Sequence, residues 1–68
     1  MLYLVEVRLY GDDVAASMNS ARTCLEHHHL KPTMFRVMLA PERRLHIAFM
    51  AEGEAEAFAR TFGGRLLR

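Results

Sequence analysis

The sequence predicts a two-layer α+β domain in which two helices cover one face of a four-stranded antiparallel sheet. Three stretches of the chain alternate apolar and polar residues with a period of two, which is typical of half-buried strands. Two other stretches repeat apolar residues every three or four positions, as the buried stripe of a helix does. A short apolar segment near the C-terminal end supplies the fourth strand.

The first strand and the first helix are predicted within residues 2 to 32. Residues 2 to 10 alternate, and those assigned to the core are Tyr3, Val5, Val7 and Leu9. Gly11-Asp12-Asp13 interrupts the strand and offers an Asp N-cap, so we expect the helix to begin at Asp13 or Val14. The stripe that faces the sheet comprises Val14, Met18, Ala21, Leu25 and His28. Lys31-Pro32 is expected to end the helix, because proline disfavours the α conformation in the residue before it.

The middle of the chain predicts a β-hairpin. Thr33 to Ala40 and Arg44 to Met50 both alternate, and the turn between them contains Pro41, which presets the backbone φ of a central turn position. The residues expected to face the core are Phe35, Val37, Leu39, Leu45, Ile47 and Phe49.

The C-terminal part predicts a helix and an edge strand. The helix is expected from about Glu52 to Phe62, with acidic residues near its positive N-terminal end. Its buried stripe comprises Ala55, Phe58, Ala59 and Phe62. Gly63-Gly64 supplies the left-handed C-cap, and Arg65 to Arg68 is long enough only for an edge strand.

The order βαββαβ is that of the ferredoxin-like fold, whose strands usually lie in the order 4-1-3-2. Right-handed crossovers then place both helices on the same face. We therefore expect one ferredoxin-like domain over residues 1–68. A domain of this length buries only about 60% of the surface of its unfolded chain, and the single cysteine, Cys24, excludes an internal disulfide. Association with a partner is the remaining way to add stability.

Composition and charge exclude several classes of function. Nine basic and eight acidic residues give a formal net charge of +1, which is too balanced for a dedicated nucleic-acid binder. Most of the arginines nevertheless lie in residues 35–68, so a local basic patch is expected. The apolar segments fall far short of the roughly 20 residues that span a bilayer. We therefore expect a cytoplasmic protein without a membrane partner.

Residues that often carry metal or covalent chemistry have structural explanations here. At most two side chains of the run His27–His29 can point toward one ion from a helix end, and the helix dipole favours histidine at that end. Cys24 borders the buried stripe, where an unpaired cysteine usually acts as a small apolar residue. The acidic residues at 12–13 and 52–56 lie at helix N-termini, where capping and the dipole account for them. We expect no catalytic residue, no metal site and no cofactor.

The outward face of the sheet carries the main hypothesis for function. Two helices leave that face uncovered, so it meets either water or another protein surface. The residues assigned to it are Leu4, Glu6, Arg8 and Ala48, together with the expected interface residues Tyr10, Met34, Arg36, Met38, Arg44, His46 and Met50. Met, Tyr and Arg are enriched in protein interfaces. We therefore interpret the domain as a non-catalytic interaction or regulatory module that forms a homodimer or docks on a partner protein.

Gly11 carries a resemblance to a known family. A glycine between the first strand and the first helix of a small βαββαβ domain resembles the small-molecule regulatory modules called ACT domains. In those domains, backbone N–H groups at the start of the helix hold the carboxylate of an amino acid at a dimer interface. The resemblance implies Gly11 and Asp12 as ligand-binding residues, although Asp12 and Asp13 put two negative charges beside the carboxylate site.

Two further alternatives use the open face of the sheet. A small enzyme of the dimeric α+β barrel kind packs two sheets around a substrate cavity, and only Glu6 and His46 could act there as acid or base.

RNA-binding domains of this fold stack bases on exposed aromatic residues of their central strands, whereas Phe49 of the third strand is predicted to face inward. Weak nucleic-acid binding through the sheet-face arginines is the form of this alternative that the sequence supports.

Overall fold

The computed structural model describes residues 1–67 and contains the predicted elements in the predicted order. The strands are β1 (Tyr3–Arg8), β2 (Met34–Met38), β3 (Arg44–Phe49) and β4 (Arg65–Leu67). The helices are α1 (Val14–His27) and α2 (Glu52–Phe58), and α2 continues into a π-helical turn over Ala59–Gly63. Arg68, the last residue of the predicted edge strand, lies outside the described residues. None of the described helices is long and apolar enough to cross a membrane.

The four strands form one antiparallel sheet in the order β2-β3-β1-β4. From the opposite edge this is the 4-1-3-2 order expected for a ferredoxin-like domain. The central pair is β1 and β3, whose register sets Val5 opposite Ile47 and Val7 opposite Leu45. Both helices contribute buried residues to the same cluster as these inward side chains. The predicted α+β sandwich with both helices on one face is confirmed.

The core lies between the sheet and the helices, as the alternation predicts. The buried residues that form it are Val5, Val7, Ala21, Leu25, Leu45, Ile47, Phe49, Ala55 and Phe58. The ring of Phe58 has its centroid 5.8 Å from that of Phe49 and 5.2 Å from that of Phe62. Six other residues of the predicted core are half-buried and pack against this cluster: Tyr3, Leu9, Phe35, Val37, Ala59 and Phe62.

The assignment of Leu39 to the core is wrong. β2 ends at Met38, which pairs with Arg44, and Leu39 is 62% exposed just after the strand. The sequence alternation continues past the last cross-strand pair, although the strand does not. The peptide bond between Ala40 and Pro41 in the following turn is cis.

The C-terminal end of α1 differs from the prediction. His29 adopts a left-handed φ of 55°, and the N–H of Leu30 donates to the carbonyl of Leu25 at 2.8 Å. This arrangement is a Schellman motif, in which a left-handed residue ends the helix and an apolar contact closes it. The helix therefore ends at His27, before the proline could stop it. His28, predicted to extend the buried stripe, is the exposed C-cap.

The π-helical turn after α2 is not predicted by the sequence. The N–H of Gly64 donates to the carbonyl of Ala59 at 3.0 Å, five residues earlier. Gly63, with φ of 97°, has the left-handed conformation predicted for the helix end. A Cβ added at Gly64 would lie 2.7 Å from Cγ1 of Val5, so only glycine fits against β1 at this point. The two glycines thus bring the chain directly to the edge of β1.

Replacement of Phe58 by alanine tests this core. The Phe58 side chain is completely buried, so Phe58→Ala should lower the free energy of unfolding by about 3 to 5 kcal/mol. Leu39→Ala is a control on an exposed apolar residue and should change it by less than about 0.5 kcal/mol. Urea denaturation of the three proteins measures both changes. Equal losses in the two variants would contradict the burial of Phe58.

Candidate functional site on the open sheet face

One part of the open face is apolar across the whole sheet. A row of cross-strand neighbours consists of Leu4, Met34, Ala48 and Leu67. The alternation places Leu2 and Met50 one step further along the same face, and we call these six residues the apolar band. Ala48 is buried between its neighbours, whereas Leu2 is 50% and Met50 is 63% exposed. The band is therefore partly accessible to another surface.

The next two rows of the open face carry the charged side chains. The first row contains Glu6, His46, Arg36 and Arg65, and the second contains Arg8, Arg44 and Met38. We call the four arginines of these rows the basic group. Two carboxylates, those of Glu6 and of Glu42 in the preceding turn, accompany them. This half of the face is therefore net positive.

The Glu6 carboxylate joins three strands of the sheet. Its Oε2 atom accepts hydrogen bonds from Nη1 of Arg44 and Nε2 of His46, both at 3.0 Å, and its Oε1 atom accepts from Nη2 of Arg65 at 3.5 Å. The Glu6 side chain is 10% exposed and that of His46 is 17% exposed. Because an ionised carboxylate only accepts hydrogen bonds, His46 carries a proton on Nε2. One residue of β1 thus organises side chains of β3 and β4.

These contacts keep Glu6 ionised. The hydrogen bond from His46 lowers the pKa of the Glu6 carboxyl below its ordinary value of 4.5, burial opposes this shift, and the hydrogen bond and charge of Arg44 add to it. Arg44 also pairs with Glu42, and hydrogen bonds to Glu42 and Glu6 raise the pKa of its guanidinium. The buried Nε of Arg44 has no hydrogen-bond partner among residues 1–67. The two carboxylates therefore fix the position of this guanidinium.

The predicted interface residues occupy the open face or its end. Those on the strands are Met34, Arg36 and Met38 of β2 and Arg44 and His46 of β3, while Tyr10 and Met50 lie just beyond the ends of β1 and β3. Tyr10 is 80% exposed. Sequence reasoning did not include Arg65 in the site, because a strand of three residues has no pattern from which its pairing with Glu6 could be predicted. An interface at this face stays a prediction.

The turn predicted to bind a ligand is held by protein groups. Gly11 has φ of 81°, in the left-handed region that favours glycine. Nη1 of Arg43 donates to the Gly11 carbonyl at 2.7 Å and to the Asp12 carboxylate at 3.3 Å. Asp13 is the N-cap of α1, and its carboxylate accepts from the Ala16 N–H at 2.9 Å. These contacts account for the glycine and both acids, and the ligand-binding role of Gly11 and Asp12 stays a prediction.

Cys24 lies on α1 and the histidine run lies at the C-terminal end of this helix, across the sheet from the open face. The rings of His27 and His28 meet edge to face with centroids 5.0 Å apart. Among residues 1–67, no group of three or more His, Cys, Asp or Glu side chains is arranged to hold a metal ion. Cys24 is half-buried against the core, and burial raises the pKa of its thiol. A thiol with a raised pKa is not activated as a nucleophile.

The variant Glu6→Gln tests the charged cluster through pH. Since the folded-state pKa of Glu6 lies below 4.5, its ion pairs stabilise the fold fully above that value and are lost as pH falls through the folded-state pKa. At pH 7 Glu6→Gln should therefore melt at a lower temperature than the parent. The difference should shrink as the pH falls below 4.5 and through the lowered folded-state pKa, where the parent loses the same charge.

Thermal unfolding between about pH 7 and pH 3 measures this difference. The variant Glu56→Gln is a matched control, because Glu56 is an exposed carboxylate on α2, and its offset from the parent should not follow the same pH dependence. A constant offset between parent and Glu6→Gln at every pH would contradict the electrostatic role of Glu6.

Searches of protein-family models, curated protein sequences and solved structures find no match to this chain. The function is therefore inferred from the geometry and charge of the open face.

Proposed function

We propose that this domain is an interaction module whose open sheet face pairs with the same face of a second copy. The observation that carries the proposal is the apolar band, which crosses all four strands and ends in the exposed side chains of Leu2 and Met50. The single lysine of the sequence, Lys31, precedes β2 and lies outside the face. Interfaces are enriched in Met, Tyr and Arg and depleted in Lys.

The strand order makes the apolar band complementary to itself. A two-fold axis parallel to the strands and between β1 and β3 exchanges the two central strands. The apolar band of one copy then covers that of the other, with Leu4 opposite Ala48. The same operation sets Glu6 of one copy opposite His46 of the other, but it also sets the arginines of the basic group opposite one another. The self-complementary part of the face, as a two-fold dimer requires, is thus the apolar band.

Burial of the apolar band is large on the energy scale of so short a chain. Full burial of one exposed Met or Leu side chain contributes about 1.5 to 3 kcal/mol. A single core in a chain of about 70 residues rarely supplies more than about 3 to 5 kcal/mol. Burial of the apolar band would therefore contribute a gross free energy of the same order as the net stability of the core, from which the entropy cost of association is subtracted.

The variant Met50→Glu tests the proposal. Met50 lies in the apolar band and is 63% exposed, so a glutamate there should leave the fold intact but place a charge inside the interface. Leu39→Glu is a matched control, because Leu39 is 62% exposed and lies outside the band. We expect sedimentation equilibrium at tens of micromolar to show dimers for the parent and Leu39→Glu, and monomers for Met50→Glu.

Two outcomes would contradict the proposal. A monomeric parent protein at these concentrations would rule out self-association. A Met50→Glu variant that remains dimeric would place the interface elsewhere, on the helices or on an edge strand. Thermal melting of each variant establishes that the change in mass reflects association and not unfolding.

A second candidate function rests on the contact between Glu6 and His46. The Glu6 carboxylate accepts a hydrogen bond from Nε2 of His46, so in the neutral ring the proton lies on Nε2 and the lone pair on Nδ1. A general base requires such a lone pair. Nearby arginines could hold the carboxylate of a small acid beside it. This arrangement favours an enzyme of the dimeric α+β barrel type. In such an enzyme His46 would abstract a proton from the carbon next to a carbonyl group of the substrate.

Deuterium exchange tests the second candidate without knowledge of its substrate. If His46 acts as a general base, small 2-oxo acids incubated with the protein in deuterium oxide should exchange the protons on C3 faster than in buffer. Proton NMR measures the loss of these signals, and His46→Asn should abolish the acceleration. Exchange at the buffer rate, or exchange unchanged in His46→Asn, would rule out this role for His46.

A further inference from the structure

A shallow pocket of about 270 Å³ opens at one end of the open face. Three arginines line it, Arg8, Arg44 and Arg65, together with one carboxylate, that of Glu6, and with Tyr10 and the Gly63-Gly64 step. We call it the arginine pocket. It exists because β4 begins only at Arg65, opposite Glu6. The glycines before Arg65 carry no side chain that could cover the flank of Arg8.

The side chains of the arginine pocket have more hydrogen-bond donors than the protein supplies acceptors for. The side chain of Arg8 forms no hydrogen bond or ion pair within residues 1–67, and its charge acts on Glu42 only over a longer distance. Arg65 is 74% exposed and reaches Glu6 at 3.5 Å. Both oxygens of Glu6 already accept hydrogen bonds. The unused donors of Arg8 and Arg65 therefore face a pocket that retains a positive charge.

We propose that the arginine pocket binds the oxyanion group, carboxylate or phosphate, of a small organic molecule. Guanidinium groups bind either group through paired, charge-assisted hydrogen bonds. The exposed ring of Tyr10 offers an apolar face against which a flat part of the ligand can lie. The pocket volume of about 270 Å³ suffices for the anionic group and a small ring. The site is complete within one copy, so this inference goes beyond self-association and does not require it.

Titration of the ¹⁵N-labelled protein with inorganic phosphate and with phenyl phosphate tests the site. Saturable NMR shifts should appear at the amides of Gly63, Gly64 and Arg65. Arg8→Gln should weaken phosphate binding by about tenfold, the loss expected for one charge-assisted hydrogen bond. Arg36→Gln is the matched control, because Arg36 lies on the same face but outside the pocket, and it should change affinity by less than about twofold.

Further titrations identify the chemistry of the ligand. Phenyl phosphate should bind more tightly than inorganic phosphate, and Tyr10→Ala should remove that gain while leaving inorganic phosphate unaffected. Benzoate that competes with phenyl phosphate at the same amides would show that a carboxylate also fits. Benzoate without effect would restrict the oxyanion to phosphate, within the same proposal.

Four results would overturn the proposal. Shifts that rise linearly with phosphate, or equal losses in Arg8→Gln and Arg36→Gln, would show diffuse attraction to a positive face. A short single-stranded oligonucleotide that binds far more tightly than phenyl phosphate, with a steep dependence on salt, would assign the face to nucleic acid. Phosphate binding lost in Met50→Glu would show that the pocket needs a second copy; unchanged binding there supports the site even if the parent is a monomer.

Discussion

Two helices can cover only one face of a four-stranded sheet, and the rest of this structure follows from that constraint. The covered face takes every second residue of the strands into an apolar core. The residues between them must point to the other side, whatever their chemistry. The open face therefore holds both the apolar side chains that the core cannot use and the charges that it cannot accept. Any function of the sheet has to use this mixture.

Glu6 organises the charges of the open face. A carboxylate that is 10% exposed is costly unless it is paired, and its partners on β3 and β4 satisfy it. The arginines lie on the same half of the face as Glu6, and the apolar band carries no charge. In packed sheets, whose backbones lie about 10 Å apart, the arginines of two such faces would share one gap, where salt screens their repulsion little. Burial of each Met or Leu, at about 1.5 to 3 kcal/mol, would act against this repulsion.

Alternation predicts most of this fold because it fixes the direction of each side chain in β1 and β3. It does not fix the position along the strand. The sequence identifies Glu6 and His46 as acid and base on one face, yet a register shift of two residues would keep the alternation and separate them. Leu39 shows the same limit of the pattern, because the alternation continues past Met38, whereas cross-strand pairing ends there. The π-helical turn and the left-handed His29 have no periodic signal, because hydrogen bonds and packing set both.

The apolar band and the arginine pocket occupy different halves of one face, and charge is one way in which they can influence each other. In the two-fold arrangement that exchanges β1 and β3, Arg8 of one copy lies opposite Arg44 of the other. An oxyanion held by Arg8 would then sit between guanidinium groups of both copies and remove the charge that opposes pairing. Anion binding would strengthen self-association, and by linkage self-association would strengthen anion binding by the same factor. If both proposals hold, the dimer interface would carry its own counter-ion site, and the supply of a small anion would set the fraction of paired molecules.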